Sequence, residues 1–320
     1  MSAQLQPRPA SLLARPPSIG LALGGGGARG IAHILMLEAF DEFGIKPKVI
    51  AGTSIGALYG AAYASGMSAA QVRARTEETL GRRFDLMRQL FAARSEPARK
   101  LLRFVPLRSP FINPETLLEL VLPGKVATDF ADLEIPLKVV ATDLASHEAA
   151  VLAAGPLRPS VAASIAIPVV FSPVVIGGHT LVDGGLANPL PFDLIDGAAD
   201  LTVAIDVGGT ATEADLGPKP SAIEVVLQSI QILQKSITRE RLRYRQPDIY
   251  IDVAVGRYAA LEFYKFQEIL AAAEPAKAAL KRQLARVLGS ETVEQSVALP
   301  PAIRRPMLPR RRRFALRPRE

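Results

Sequence analysis

The 320-residue chain contains no cysteine, which excludes disulfides, thiolate metal sites and a cysteine nucleophile. Histidine is scarce as well: His33, His147 and His179 are the only three, so chemistry that needs an imidazole base must use one of them. Strongly apolar runs of membrane length are also missing. Val49 to Val72 and Pro159 to Val182 each lack Asp, Glu, Lys and Arg for 24 residues. The first is mostly Ala, Gly and Ser, and the second is broken by Pro159, Pro168 and Pro173. A span needs about 20 predominantly apolar residues, so both read as buried core. The start, "MSAQLQPRPASLLARPPS", is interrupted by prolines and arginines and has no apolar signal core. It reads as a loose leader over 1–18, and a cytoplasmic location is the expectation.

Acidic residues are too few to balance the basic ones, but only at one end. Eight arginines lie within residues 304–320 against Glu320, and they account for the whole formal charge of +7. This proline-broken tail is expected to be disordered in isolation, over about 291–320. It reads either as a solvated tail or as a contact for anionic lipid head groups or nucleic acid phosphates, the latter being the lesser expectation. A second basic stretch, 73–112, mixes arginines with apolar residues such as Leu86, Phe91 and Phe104. It fits a lid-like or interfacial insert as well as a solvated helical hairpin.

With 49% hydrophobic and 22% charged residues, the chain can bury a sizeable core in one large or two smaller domains. "IGLAL" (19–23) reads as a strand, followed by a glycine loop at 24–30 and a helical pattern that stops at Gly44. "KVIAG" is a second strand, and the next helix starts near Ser54, making a βαβ unit. Ser68 and Gln71 have capping-box spacing, and Asn113-Pro114 has the form of a further helix start. "PLKVVATDL", the pair around Gly177-Gly178, "DLTVAIDVG" and "DIYIDV" are further strands. Long helices are expected over 222–245 and 266–288. No internal repeat is present. Alternating strands and helices predict a three-layer α/β/α fold with a mostly parallel central sheet, the domain spanning about 19–290.

Gly52-Thr53-Ser54-Ile55-Gly56 fits G-x-S-x-G, in which a serine sits on a strained turn from strand to helix. Ser54 is therefore a candidate nucleophile, or a small residue in a tightly packed helix. Gly25-x-Gly27-x-x-Gly30 meets the local dinucleotide fingerprint, but no acid stands at the end of the second strand to hold a ribose. No Gly-Lys-Ser/Thr closes the loop, so a P-loop fails too. Joined to Ser54 by adjacent parallel strands, the Gly25, Gly26 and Gly27 amides would instead serve as oxyanion donors. Arg29 holds this loop, binds an anionic head group, or is an exposed charge on the first helical turn.

A serine needs a base within hydrogen-bond reach. His33 falls inside an apolar helix and reads as structural, whereas a triad of Ser54, Asp143 and His179 is one arrangement the residues allow. Asp183 is the other: it ends the strand "HTLV", is followed by Gly184-Gly185, and its apolar neighbours would desolvate it and raise its pKa. An Asp-Gly-Gly sequence also serves simply to stabilise a turn.

Together, GGGGARG at 24–30, GTSIG at 52–56 and DGG at 183–185 resemble the patatin-like phospholipase family in its bacterial branch. "ATDL" at 141–144 and "ASIAIPVVFSPV" at 163–174 look like family segments as well, so the resemblance covers about residues 19–252. It implies a Ser54/Asp183 dyad, an oxyanion and substrate-binding region of Gly25, Gly26, Gly27, Arg29, Gly30 and Ile55, and motif glycines Gly52, Gly56, Gly184 and Gly185. The implied reaction is metal-independent and cofactor-free hydrolysis of lipid fatty acyl esters through an acyl-serine. The implied partner is a lipid substrate; the resemblance does not cover the leader or the arginine tail, and contact of insert and tail with an anionic membrane surface is expected from their charge alone. The family often has "HIGVL" in the first helix where this chain has "HILML", placing Leu35 where a glycine usually stands. Two rival readings are a catalytically silent binding protein on the same fold and a nucleotide-dependent oxidoreductase. The sequence sets no oligomeric state.

Overall fold

The computed structural model describes residues 16–92, 113–115, 118, 126–209 and 222–289, with the backbone alone for 81–92 and 222–223. The expected leader (except 16–18), the second half of the basic insert, and the arginine tail lie outside the described residues.

Strand β1 (Ile19–Leu23) is entirely buried and runs into a short 3-10 helix, Gly27–Ala32, then α1 (His33–Glu42). The glycine loop is thus shorter than its sequence suggests, because its second half is already helical. Strand β2 (Val49–Thr53) leads into α2 (Ile55–Ala64), every residue of which is buried. Glycine and alanine give α2 the slim profile that full burial demands. Helix α3 (Ala69–Ala92) starts at the expected capping box, where Ser68 and Gln71 exchange hydrogen bonds at 3.0 and 3.2 Å. The first part of the basic insert is therefore the body of this helix. After β3 (Leu137–Asp143) come β4 (Ala149–Leu152), α4 (Leu157–Ser164), β5 (Val174–Ile176) and β6 (His179–Asp183). The chain closes with β7 (Leu201–Asp206), α5 (Ala222–Tyr244), β8 (Ile249–Asp252) and α6 (Phe266–Leu288).

The sheet order is β5-β6-β3-β2-β1-β7-β8, with β4 on β3. From β3 to β8 along this order the strands are parallel, while β4 and β6 pair antiparallel with β3 and β5 pairs antiparallel with β6. Successive residues point to opposite faces. Leu21, Leu23, Ile50, Val203 and Ile205 join the larger core, with α1, α2, α4 and α6. Ala22, Ala51 and Ala204 face a smaller one, closed by residues 190–198 and Leu242 of α5. The result is a three-layer α/β/α sandwich with a mostly parallel central sheet.

One detail of register positions the site. β4 pairs with Val139 to Thr142, overlapping both the stretch paired with β2 (Leu137 to Val140) and that paired with β6 (Ala141 to Asp143). A strand has two edges, so β2 and β6 share the edge that β4 leaves open. They run toward each other along it. β2 ends at Thr53 opposite Val140, and β6 ends at Asp183 opposite Ala141.

Candidate active site

The meeting of these two strand ends sets Ser54 against Asp183. Ser54 Oγ donates to Asp183 Oδ2 at 2.6 Å, and both residues are buried. Ser54 has φ 55° and ψ −124°, a strained backbone for a residue with a side chain, at the turn between β2 and α2. Two contacts hold it there. Its N–H donates to Ser164 Oγ at 2.8 Å, and Ser164 in turn donates to the Val140 carbonyl at 2.6 Å. The strand end before it is anchored by Thr53 Oγ1, which donates to the Asn188 carbonyl at 2.8 Å.

Asp183 is fixed on every side. Its Oδ1 accepts from Gly185 N at 2.7 Å, its N–H donates to the Ala166 carbonyl, and its carbonyl accepts from Thr142 Oγ1. Gly184 and Gly185 are in a single 3-10 turn that this carboxylate caps. Burial pushes the Asp183 carboxyl up to about 6, against the opposing pull of the Ser54 and Gly185 hydrogen bonds. Loss of water around the charge outweighs two good donors. The group is thus ionised near neutral pH and more basic than an ordinary carboxylate.

The glycine loop lies beside Ser54: a β-carbon on Gly25 would come 3.4 Å from that of Ser54. Of the three amides expected as donors, the Gly25 N–H is already committed to the Pro189 carbonyl at 2.9 Å. Among the described residues nothing accepts from the Gly26 and Gly27 amides. Gly27 has φ +57°, and a β-carbon there would strike the Ala260 carbonyl, so this bend requires glycine. Arg29 is not an exposed charge. It is 2% exposed, donates from Nε to the Gly26 carbonyl at 3.1 Å and from Nη1 to the Gly208 carbonyl, and so clamps the loop. Burial pushes its guanidinium down to about 10, with the Asp206 charge pulling the other way. Ile55 begins α2, where the first N–H groups have no helical partner, and its side chain packs on Gly30.

The three histidines stand apart from this pair. His33 is buried and its Nε2 lies 2.8 Å from the Gly24 carbonyl; since that oxygen can only accept, Nε2 carries the proton. Burial pushes its pKa down to about 4, and Nδ1 is a buried acceptor with no partner among the described residues. His179 Nδ1 pairs with Asp143 Oδ2 at 2.7 Å, and the Ala145 amide, followed by that contact, keeps the Asp143 carboxyl below its usual range. His179 stands four residues before Asp183 on an extended strand, roughly 13 Å away at the usual rise. The Ser54-Asp143-His179 arrangement is not assembled. His147 follows β3 at φ 62°.

A cleft of about 410 Å³, solvent at its mouth included, opens over the pair. Gly26, Gly27 and Arg29 line one side, and Ile167, Pro168 and Leu186 line another. The far wall is α5, through Leu227, Ile230, Gln231 and Gln234. Sequence reading missed this wall, the Pro189 and Gly208 carbonyls that anchor the glycine loop, and Ser164. Ser164 lies in "ASIAIP", a segment singled out for its likeness to a family but without a role.

The arrangement sets a serine hydroxyl, hydrogen-bonded to a desolvated carboxylate, beside two amides that have no acceptor among the described residues, at one end of a largely apolar cleft. A family profile described as Patatin-like phospholipase matches residues 21–196. An uncharacterized NTE family protein of Mycobacterium tuberculosis is 37% identical over 211 residues, covering 64% of this chain and 54% of that protein. The neuropathy target esterase sws of Drosophila melanogaster is 32% identical over 281 residues, covering 79% of this chain and 19% of that protein. The solved structure of VipD from Legionella pneumophila aligns at 17% identity and a TM-score of 0.45, covering 84% of this chain and 67% of that one. The chain thus spans about half the length of the mycobacterial relatives it matches and about a fifth of the Drosophila one. On the strength of the profile, which takes in more than half of its residues, the chain belongs to the patatin-like phospholipase family.

Proposed function

We propose that this protein hydrolyses fatty acyl esters of lipids through a Ser54/Asp183 dyad and an acyl-serine intermediate, without a metal or cofactor. The observation that carries the reading is the 2.6 Å hydrogen bond from Ser54, held in a strained turn, to a buried carboxylate. Ser54 Oγ attacks the ester carbonyl carbon while its proton passes to Asp183 Oδ2. The Gly26 and Gly27 N–H groups take the charge that develops on the carbonyl oxygen, where one such donor typically contributes about 10²- to 10³-fold in rate. The C–O bond to the alcohol then breaks, and Asp183 returns the proton to the leaving oxygen. Water, deprotonated by Asp183, releases the fatty acid and restores Ser54. The apolar walls at Ile167, Leu186, Leu227 and Ile230 suit an acyl chain.

Ser54→Ala is expected to abolish ester hydrolysis while the fold persists. A fluorophosphonate probe should add once to the wild-type protein, on Ser54, as read by intact mass and peptide mapping. Full activity in the variant, or an adduct elsewhere, would overturn the assignment. The location expected from the sequence, cytoplasmic with contact to an anionic membrane through insert and tail, belongs to this proposal. Among the described residues no helix is long and apolar enough to cross a membrane.

A further inference from the structure

Helix α5 has two apolar sides. Leu227, Ile230, Gln231 and Gln234 follow one another at i, i+3, i+4 and i+7 and form the cleft wall. On the opposite side Val225, Val226, Ile232 and Leu233 are between 39% and 66% exposed. No charged residue falls between Glu224 and Lys235. The two serines of the outer stripe do not break it: Ser229 and Ser236 donate their hydroxyls back to the Val225 and Ile232 carbonyls, each at 2.8 Å. Their hydrogen-bonding needs are met within the helix, so water is not required on this face. Exposed Arg239 and Arg243 continue the same side over the last turns, Arg243 beside Glu240.

In this second half Lys235 pairs with Asp206 and Arg241 with Asp193, and just past the helix Arg245 pairs with Asp196. An exposed apolar stripe of this kind marks an interaction surface. Its chemistry, apolar and then cationic along one helix, matches a lipid–water interface with anionic head groups.

We propose that the outer face of α5 docks the protein onto a lipid surface; this rests on the lipid hydrolase reading. An interfacial helix sinks about 5–10 Å into the head-group and acyl boundary, and a helix is about 10 Å across. The inner face of α5, which is the cleft wall, then stands at the depth where lipid ester bonds lie. Docking and delivery of the ester to Ser54 thus use the two sides of one helix.

The test compares the full-length protein with the double variant Ile232→Glu/Leu233→Glu, neither residue lining the cleft. Partition onto phosphatidylcholine vesicles containing phosphatidylglycerol is measured by co-sedimentation in 0.5 M salt, which screens the arginine tail. The variant should partition at least tenfold less, while its hydrolysis of a soluble short-chain ester stays within twofold of wild type. Because the chain has no tryptophan, Leu233→Trp provides a single reporter. Its emission should shift to the blue on vesicle addition and be quenched by brominated acyl chains. Unchanged partition, an unquenched reporter, or a wild-type dimer that the double variant splits in light scattering would overturn the proposal, the last by assigning the stripe to a second copy. Vesicle binding through the stripe by a protein that hydrolyses no ester would leave the docking surface standing and the hydrolase reading fallen.

Discussion

The carboxylate of Asp183 is caught between burial and two hydrogen-bond donors, and burial prevails. An ordinary Asp is too weak a base for a serine hydroxyl; one raised to about 6 remains ionised at neutral pH and gains basicity. Hydrolysis of a soluble ester should therefore rise with pH through an apparent pKa near that value. Stability should move the opposite way. A folded-state pKa above the unfolded one means that the folded chain holds this proton more tightly. That stabilisation is fully present below about pH 4 and is lost as pH rises through about 6. Above it, the buried charge costs up to on the order of 3 kcal/mol. Asp183→Asn, which keeps the shape without the charge, should lose most activity yet gain stability relative to wild type between pH 4 and pH 8. Urea unfolding at the two pH values reads this gap; an equal gap at both would mean that Asp183 titrates normally in the fold.

At the scale of elements, the strained turn is held by what lies under it. Helix α2 sits so low on the sheet that a β-carbon on Gly56 would come within 2.2 Å of the Leu23 carbonyl oxygen, whereas at Gly60 the nearest atoms are 3.3 Å away. Backbone cannot yield as a side chain can, and the helix would have to rise and carry Ser54 away from Asp183. Gly56→Ala should destabilise by about 3 kcal/mol or more and lose fluorophosphonate labelling. Gly60→Ala, with a helix-propensity gain of up to about 1 kcal/mol to offset tight contacts, should stay within about 1 kcal/mol of wild type and label normally. Equal effects at the two positions would show that the approach of α2 to β1 does not set the turn.

Across the whole molecule, charge and apolar surface are unevenly placed. The formal charge of +7 resides in residues 304–320, so 1–303 are neutral overall. A basic residue near an anionic surface contributes roughly 1 kcal/mol, and screening removes most of it at high salt. Deleting 304–320 should weaken binding to anionic vesicles strongly at low ionic strength and little in 0.5 M salt. Sedimentation with vesicles at the two salt concentrations separates this long-range attraction from the apolar stripe of α5. Binding unchanged by the deletion at low salt would make the tail a solvated one.

Much of this molecule can be read from its residues alone. Short apolar runs ended by glycine mark β1, β2 and β6, since few other local structures suit them. G-x-S-x-G and Asp-Gly-Gly mark the two residues that the structure brings together. Two elements were illegible for local reasons. β4 is short and half-exposed, and α4 contains Pro159, which looks like a break but occupies the first turn, where an N–H has no helical partner to lose. Arg29 reads equally as clamp, ligand or solvated charge until the Gly208 carbonyl is found beside it, 179 residues further on. The same holds for Ser164, for the commitment of the Gly25 amide, and for α5, whose two apolar sides differ only in what lies against them. Local sequence determines strand, turn and helix because those depend on neighbours a few residues away. Which strand ends meet on one edge of β3, and so which carboxylate faces Ser54, is decided by register across the sheet, which no local pattern encodes.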